Sequence, residues 1–184
     1  MIDITIAKNA GFCFGVKRAI DKVQELLNNN IKLYCIGDII HNEYVVNKLK
    51  SNGLIILNDE NEINKLHDEY VIIRSHGIDK NIQKILLDNN NKIIDLTCPY
   101  VKNIHNIVDE NTKNDEITIL VGDINHPEVK AIKSYANGEI HIINSIDEAK
   151  NLNLDKNKKI IVISQTTSSI QNYQNIIDIL EKII

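Results

Sequence analysis

The chain has 184 residues, enough to bury a substantial core in one domain or in two small ones. Its 21 basic and 25 acidic side chains leave a net charge of −4, and no run of Lys and Arg is interleaved with aromatics, which argues against nucleic-acid binding. No apolar stretch approaches a membrane span of roughly 18 residues and the N-terminus has no secretory pattern, so a cytoplasmic protein with no membrane partner and with three reduced cysteines is expected.

Short Ile- and Val-rich runs alternate with amphipathic segments along the whole chain. In order, IDITIA, IKLYCIG, GLIIL, YVIIRS, KIIDL, EITILVG, EIHII and KKIIVIS read as buried strands, being brief and bounded by Gly, Asn or Asp. Between them the spacing predicts helices near 14–28, 42–51, 60–67, 79–89, 99–113, 127–136, 146–151 and 168–182, with Gly53 and Gly138 placed to end two of them. This alternation predicts an α/β fold of parallel sheets with flanking helices.

The chain also repeats itself. Shifted by 85 residues, positions 13–55 match 98–140 without a gap at Cys13/Cys98, Lys17/Lys102, Gly37/Gly122, Asp38/Asp123, His41/His126, Glu43/Glu128 and Gly53/Gly138, among others. Two structural units of common descent are the natural reading, each with a Cys followed 28 residues later by a His. We place the first unit at residues 1–97 and the second at 98–184. A third unit in the same register would open near position 183, at the end of the sequence.

In parallel sheets ligands bind at the carboxyl ends of the strands. Cys13, His41, His76, Cys98, His126 and Thr166 each follow a predicted strand, so one rim is expected to gather them. Thiols at such turns are positioned to hold iron or zinc, although either cysteine taken singly is as well explained as a small buried residue. Cys35 lies inside a strand, its repeat counterpart is Leu120, and it reads as core. Histidines beside turns with free N–H groups suit a phosphate or diphosphate; surface histidine is the plain alternative for each alone. His67, His105 and His141 sit in no such motif and read as solvated or packing residues. Glu128 can move a proton, whereas Glu43 has the simpler role of facing a helix dipole, a role also open to Glu128. Thr166 and Thr167 have N-capping of the last helix as their plain reading.

Six motifs then stand in register: GFCFGVKRAI at 11–20, HNEYVV at 41–46, SHG at 75–77, DLTCPYV at 95–101, HPEV at 126–129 and SQTTSS at 164–169. In order and spacing they closely resemble the 4-hydroxy-3-methylbut-2-enyl diphosphate reductase family, iron–sulfur oxidoreductases that end the non-mevalonate route of isoprene biosynthesis. The resemblance implies a fold of three pseudo-equivalent α/β units around a 4Fe-4S cluster, two of them present here. It implies Cys13 and Cys98 as cluster ligands and His41, His76 and His126 as contacts of the substrate diphosphate. Glu128 is implied as proton donor and Thr166 as a contact of the substrate hydroxyl.

The implied reaction is reductive loss of that hydroxyl from an allylic diphosphate, with electrons from a ferredoxin or flavodoxin, giving isopentenyl and dimethylallyl diphosphate. The family's third cysteine, its Ser-x-Asn loop and the unit with which its N-terminal strand belongs have no counterpart in these residues. Three readings follow: a truncated or split reductase, an inactive fragment, or a non-enzymatic diphosphate- or zinc-binding protein of the same fold.

Overall fold

The computed structural model describes residues 3–8, 10–113 and 115–183, and seven of the eight strand candidates form strands in it. The order is α1 (Phe14–Asn28), β1 (Leu33–Ile36), α2 (Glu43–Ser51), β2 (Leu54–Leu57), α3 (Glu60–Ile63), β3 (Tyr70–Ile73), α4 (Lys80–Asp88) and β4 (Lys92–Asp95). It continues with α5 (Pro99–Lys113), β5 (Ile117–Val121), α6 (Pro127–Ser134), β6 (Ile140–Ile143), α7 (Ile146–Lys150), β7 (Ile160–Ser164) and α8 (Ile170–Ile183). Every strand pairing is parallel, in two sheets ordered β2-β1-β3-β4 and β6-β5-β7.

The period-2 side-chain alternation of each central strand divides its residues between two helical layers. In the first sheet, Leu33, Cys35 and Ile72 pack with Ala19 and Val23 of α1 and Leu49 of α2, while Ile36, Val71 and Ile73 pack with Ile63 of α3 and Leu86 of α4. The second sheet repeats the arrangement. Leu120 packs with Val108 of α5 and with Val129 and Ile132 of α6, and Ile119 and Val121 pack with Ala149 of α7 and with Ile176 and Leu180 of α8. Cys35 and Leu120, equivalent by the 85-residue shift, thus fill the same layer of their respective sheets. Truncating Leu49, which is fully buried, to Ala is expected to cost about 2–5 kcal/mol, read as a lower urea midpoint.

Both sheets place the strand after the repeated segment on the other side of the central strand, so β2-β1-β3 corresponds to β6-β5-β7. The helices α1 and α5 coincide residue for residue under the shift. The correspondence slips by one at the next edge: Tyr34 pairs with Ile55, but its equivalent Ile119 pairs with His141. The cause lies in the helix exits. Gly53, at φ +107, turns the chain directly out of α2 after the C-cap Asn52, whereas α6 already ends at the C-cap Tyr135. Gly138 therefore does not end α6 as expected; a side chain there would press on the Thr112 carbonyl oxygen, 3.0 Å from an added Cβ.

Two further expectations are corrected. The run IDITIA forms no strand over its described residues 3–7; Ile4 is 84 % and Ile6 80 % exposed, and neither sheet offers this segment a partner. Strand propensity makes no strand without an edge to pair with and a face to cover. The helix expected over 60–67 is the single turn α3, after which Leu66 drops into the core and Asp68 adopts a left-handed φ of 57°.

Candidate functional site

His41 stands between β1 and α2, His76 just beyond β3, and His126 between β5 and α6, so all three lie at carboxyl ends of parallel strands. Their rings converge, with centroids 4.4 Å apart for His41 and His76, 5.3 Å for His41 and His126, and 5.6 Å for His76 and His126. The loops are tied together from behind. Ser75 donates its hydroxyl proton to the Ile39 carbonyl at 3.1 Å, and the Cys98 N–H donates to the Ser75 carbonyl at 2.9 Å, which holds Cys98 beside the His76 loop.

Desolvation pushes the His76 imidazole down to about 3, helped by the neighbouring His41, Arg74 and His126, and its Nδ1 is buried with no hydrogen-bond partner among the described residues. His126 is also lowered, chiefly by desolvation and partly offset by Glu128. His126 Nδ1 caps α6 by accepting the Glu128 N–H at 3.1 Å, so in the neutral ring the proton sits on Nε2. His76 and His126 therefore favour their neutral forms, and the cluster holds an orphaned polar atom that an anion would satisfy.

Glu128, at the second position of α6, is only 1 % exposed. Both of its carboxylate oxygens are held by one residue: Thr166 donates its N–H to Oε1 at 2.7 Å and its hydroxyl to Oε2 at 2.8 Å. Thr166 is not the N-cap of α8. Ser169 has that place, receiving the Asn172 N–H at 3.4 Å, which leaves Thr166 for the carboxylate. Gln165 braces this loop, since its side-chain oxygen accepts the Asp123 N–H at 3.2 Å and its amide donates to Thr167 Oγ1 at 2.8 Å. Glu43, the repeat partner of Glu128, is exposed in the first turn of α2, as its plain reading requires.

The two rim thiols occupy equivalent positions, Cys13 as the N-cap of α1 and Cys98 immediately before α5. Cys13 makes no side-chain cap bond and is exposed; Cys98 is half-buried. Cys98 lies against Gly15, two residues after Cys13, where an added Cβ would stand 3.1 Å from Cys98 Sγ. Cys35 points elsewhere, being buried in β1, and burial pushes its thiol up to about 12. No group of three or more His, Cys, Asp and Glu side chains converges as a metal site among the described residues, so the zinc-binding alternative finds no assembled site there. Two of the remaining histidines pack: His105, 3 % exposed, stacks on Tyr135 at 4.2 Å between centroids, and His141 meets Glu139 at 2.8 Å.

Sequence reading left out Ser75 and Gln165, which brace the loops of the site, and Arg74, whose charge lowers His76 and His126 from beside it. Ser75 and Gln165 fall inside the quoted motifs SHG and SQTTSS, and that was the available signal.

The family model described as LytB protein matches residues 4–184. The chain belongs to the LytB family. Among curated relatives, this LytB chain is 41 % identical over 182 residues to the 4-hydroxy-3-methylbut-2-enyl diphosphate reductase of Caldanaerobacter subterraneus subsp. tengcongensis, covering 98 % of itself and 62 % of that protein. It is 39 % identical to the reductase of the same name from Clostridioides difficile, covering 100 % of itself and 67 % of that protein. Its fold matches the Plasmodium falciparum E-1-hydroxy-2-methyl-but-2-enyl-4-diphosphate reductase structure with a TM-score of 0.87 at 34 % identity, over 95 % of this chain and 55 % of that one. A second solved reductase, described as the terminal enzyme of the non-mevalonate pathway, matches at TM-score 0.79 and 36 % identity over 99 % of this chain and 64 % of that one. The chain thus spans about 62 % of the length of the first of these relatives. No helix among the described residues is long and apolar enough to cross a membrane.

The low folded-state values of His76 and of His105, the latter pushed down to about 4 by desolvation, set a pH dependence. An unfolded histidine titrates near 6.5, so between that pH and about 4 the unfolded chain binds protons that the folded chain excludes. Stability is therefore expected to fall as pH drops through this window. His105→Phe, which keeps the stack on Tyr135, should flatten the dependence in urea melts run from pH 7 to 4.5.

Proposed function

We propose that this chain supplies the diphosphate-binding and proton-delivering parts of a 4-hydroxy-3-methylbut-2-enyl diphosphate reductase, organised as two α/β units over residues 1–97 and 98–184. The observation that carries the reading is the convergence of His41, His76 and His126 around an orphaned, buried His76 Nδ1. Imidazole N–H groups suit a diphosphate, which then gives His76 the partner it lacks. Reductive removal of the allylic hydroxyl takes two electrons and two protons and releases water. Glu128 is our candidate for the proton that leaves with the oxygen, and Thr166, bonded to both of its oxygens, orients it and contacts the hydroxyl.

Two free thiols at equivalent helix starts, with Gly15 leaving room beside Cys98 Sγ, fit as two ligands of a 4Fe-4S cluster. Cys13 and Cys98 would hold it, with the remaining ligand coming from outside these residues. When bound it would supply the path for electrons from a ferredoxin or flavodoxin and a Lewis-acidic iron. The products in this reading are isopentenyl and dimethylallyl diphosphate.

The test of the acid is a comparison of two glutamates in a turnover-competent assembly containing this chain. Glu128→Gln is expected to lower kcat by about a hundredfold or more, and Glu43→Gln to leave it within about twofold. Equal losses would remove Glu128 from its role.

A further inference from the structure

A cavity of about 550 Å3 lies away from the thiols, between α3, α4 and α6. Its volume is in the range that holds a small molecule. Ile36, Ile63, Ile82 and Ile85 give it apolar walls, and Arg74 and Lys130 bring two cations to it.

Arg74 is an unusual wall. Burial pushes its guanidinium down, yet the group stays charged in any protein. Among the described residues the guanidinium makes one long hydrogen bond, Nε to the Gly77 carbonyl at 3.5 Å, and no close ion pair; the Asp38 carboxylate acts on it only from beyond that reach. The chain makes room for it: Gly37 sits at φ +69, and a Cβ at that position would collide with Arg74 Nη1. A partly buried cation with so little compensation is normally matched by an anion. Asp79 also lines the cavity, but its carboxylate is engaged in capping α4, accepting the Asn81 N–H at 2.7 Å. The Lys130 ammonium has no hydrogen-bond partner or ion pair among the described residues.

We propose that this cavity is a second anion site, distinct from the histidine cluster, and that it takes a phosphate monoester with a short apolar tail, the head on Arg74 and Lys130 and the tail against the isoleucines. Two cations line the cavity against one carboxylate, Asp79, which is committed to its cap, and Asp38 acts on Arg74 from outside the lining; that balance favours an anionic phosphate head. The inference does not depend on the reductase reading, because neither the thiols nor any of the three clustered histidines lines the cavity.

The test is calorimetric titration of the 184-residue chain with inorganic phosphate, n-butyl phosphate and pentanoate. Each buried CH2 is worth roughly a factor of four in affinity, so butyl phosphate should bind at least tenfold tighter than phosphate, and tighter than pentanoate. Arg74→Gln should weaken butyl phosphate about tenfold or more. Ile82→Asn should remove the advantage of the butyl tail and leave phosphate itself unchanged. His41→Ala should leave butyl phosphate binding intact, whereas its loss would place the anion in the histidine cluster and overturn the proposal. Butyl phosphate no tighter than phosphate, or pentanoate tighter than both, also overturns it. Lys130→Gln, on an exposed side chain that cannot unfold the core, should weaken binding about threefold. If Arg74→Gln fails to fold, unchanged affinity in both Lys130→Gln and Ile82→Asn decides against the site.

Discussion

Replacing His41, His76 or His126 by Ala is expected to weaken binding of 4-hydroxy-3-methylbut-2-enyl diphosphate by about ten- to hundredfold each, measured by calorimetry on the 184-residue chain. Hydrogen bonds to charged groups contribute about 1.5–3 kcal/mol, and that range sets the factor. The three should not be equal. His76 is the most desolvated of the cluster and holds the unpartnered Nδ1, so its loss removes a donor already stripped of water. His126 is fixed by its cap bond from the Glu128 N–H, so His126→Ala also frees the start of α6 and the position of Glu128. For that reason His126→Asn, which can cap a helix, should recover helix stability without recovering full affinity. Affinity unchanged in all three alanine variants would remove the diphosphate site from this rim.

Much of this rim can be read from sequence because the α/β rule is geometric. Once YVIIRS and EITILVG are strands of parallel sheets, the residues that follow them must lie at the carboxyl edges, and His76 follows the first directly and His126 the second after Asp123, Ile124 and Asn125. The Cys35 assignment rested on its repeat partner Leu120, and both are core for the same reason of strand alternation. What stayed hidden depends on tertiary partners. IDITIA has every local mark of a strand, and only the absence of a sheet edge beside Ile4 and Ile6 prevents it. SQTTSS offers five hydroxyls for one helix start; Glu128 holds Thr166, and Ser169 is left to cap α8. Arg74 could not be singled out at all, since its role comes from the space left by Gly37, a residue 37 positions earlier.

The thiols carry the other large expected effect. Reconstituted with iron and sulfide without oxygen, the 184-residue chain should hold well under one cluster per chain and should not turn over the diphosphate with a reduced donor. Cys13 and Cys98 are free and reach the surface, but Cys35 is enclosed between α1, α2 and the first sheet with its thiol pushed up to about 12. Delivering Cys35 to the rim would mean taking a fully buried side chain out of β1 and leaving a cavity in the core. Two thiolates leave a cluster open to water and oxygen. Cys13→Ser or Cys98→Ser should abolish the residual iron, and Cys35→Ala should leave it unchanged while lowering the melting temperature. A stoichiometric, stable cluster with turnover would require a third ligand from a second copy or from Cys35. The Cys35→Ala variant separates the two: iron lost with Cys35 would reverse the core assignment, and iron kept would point to ligation between chains.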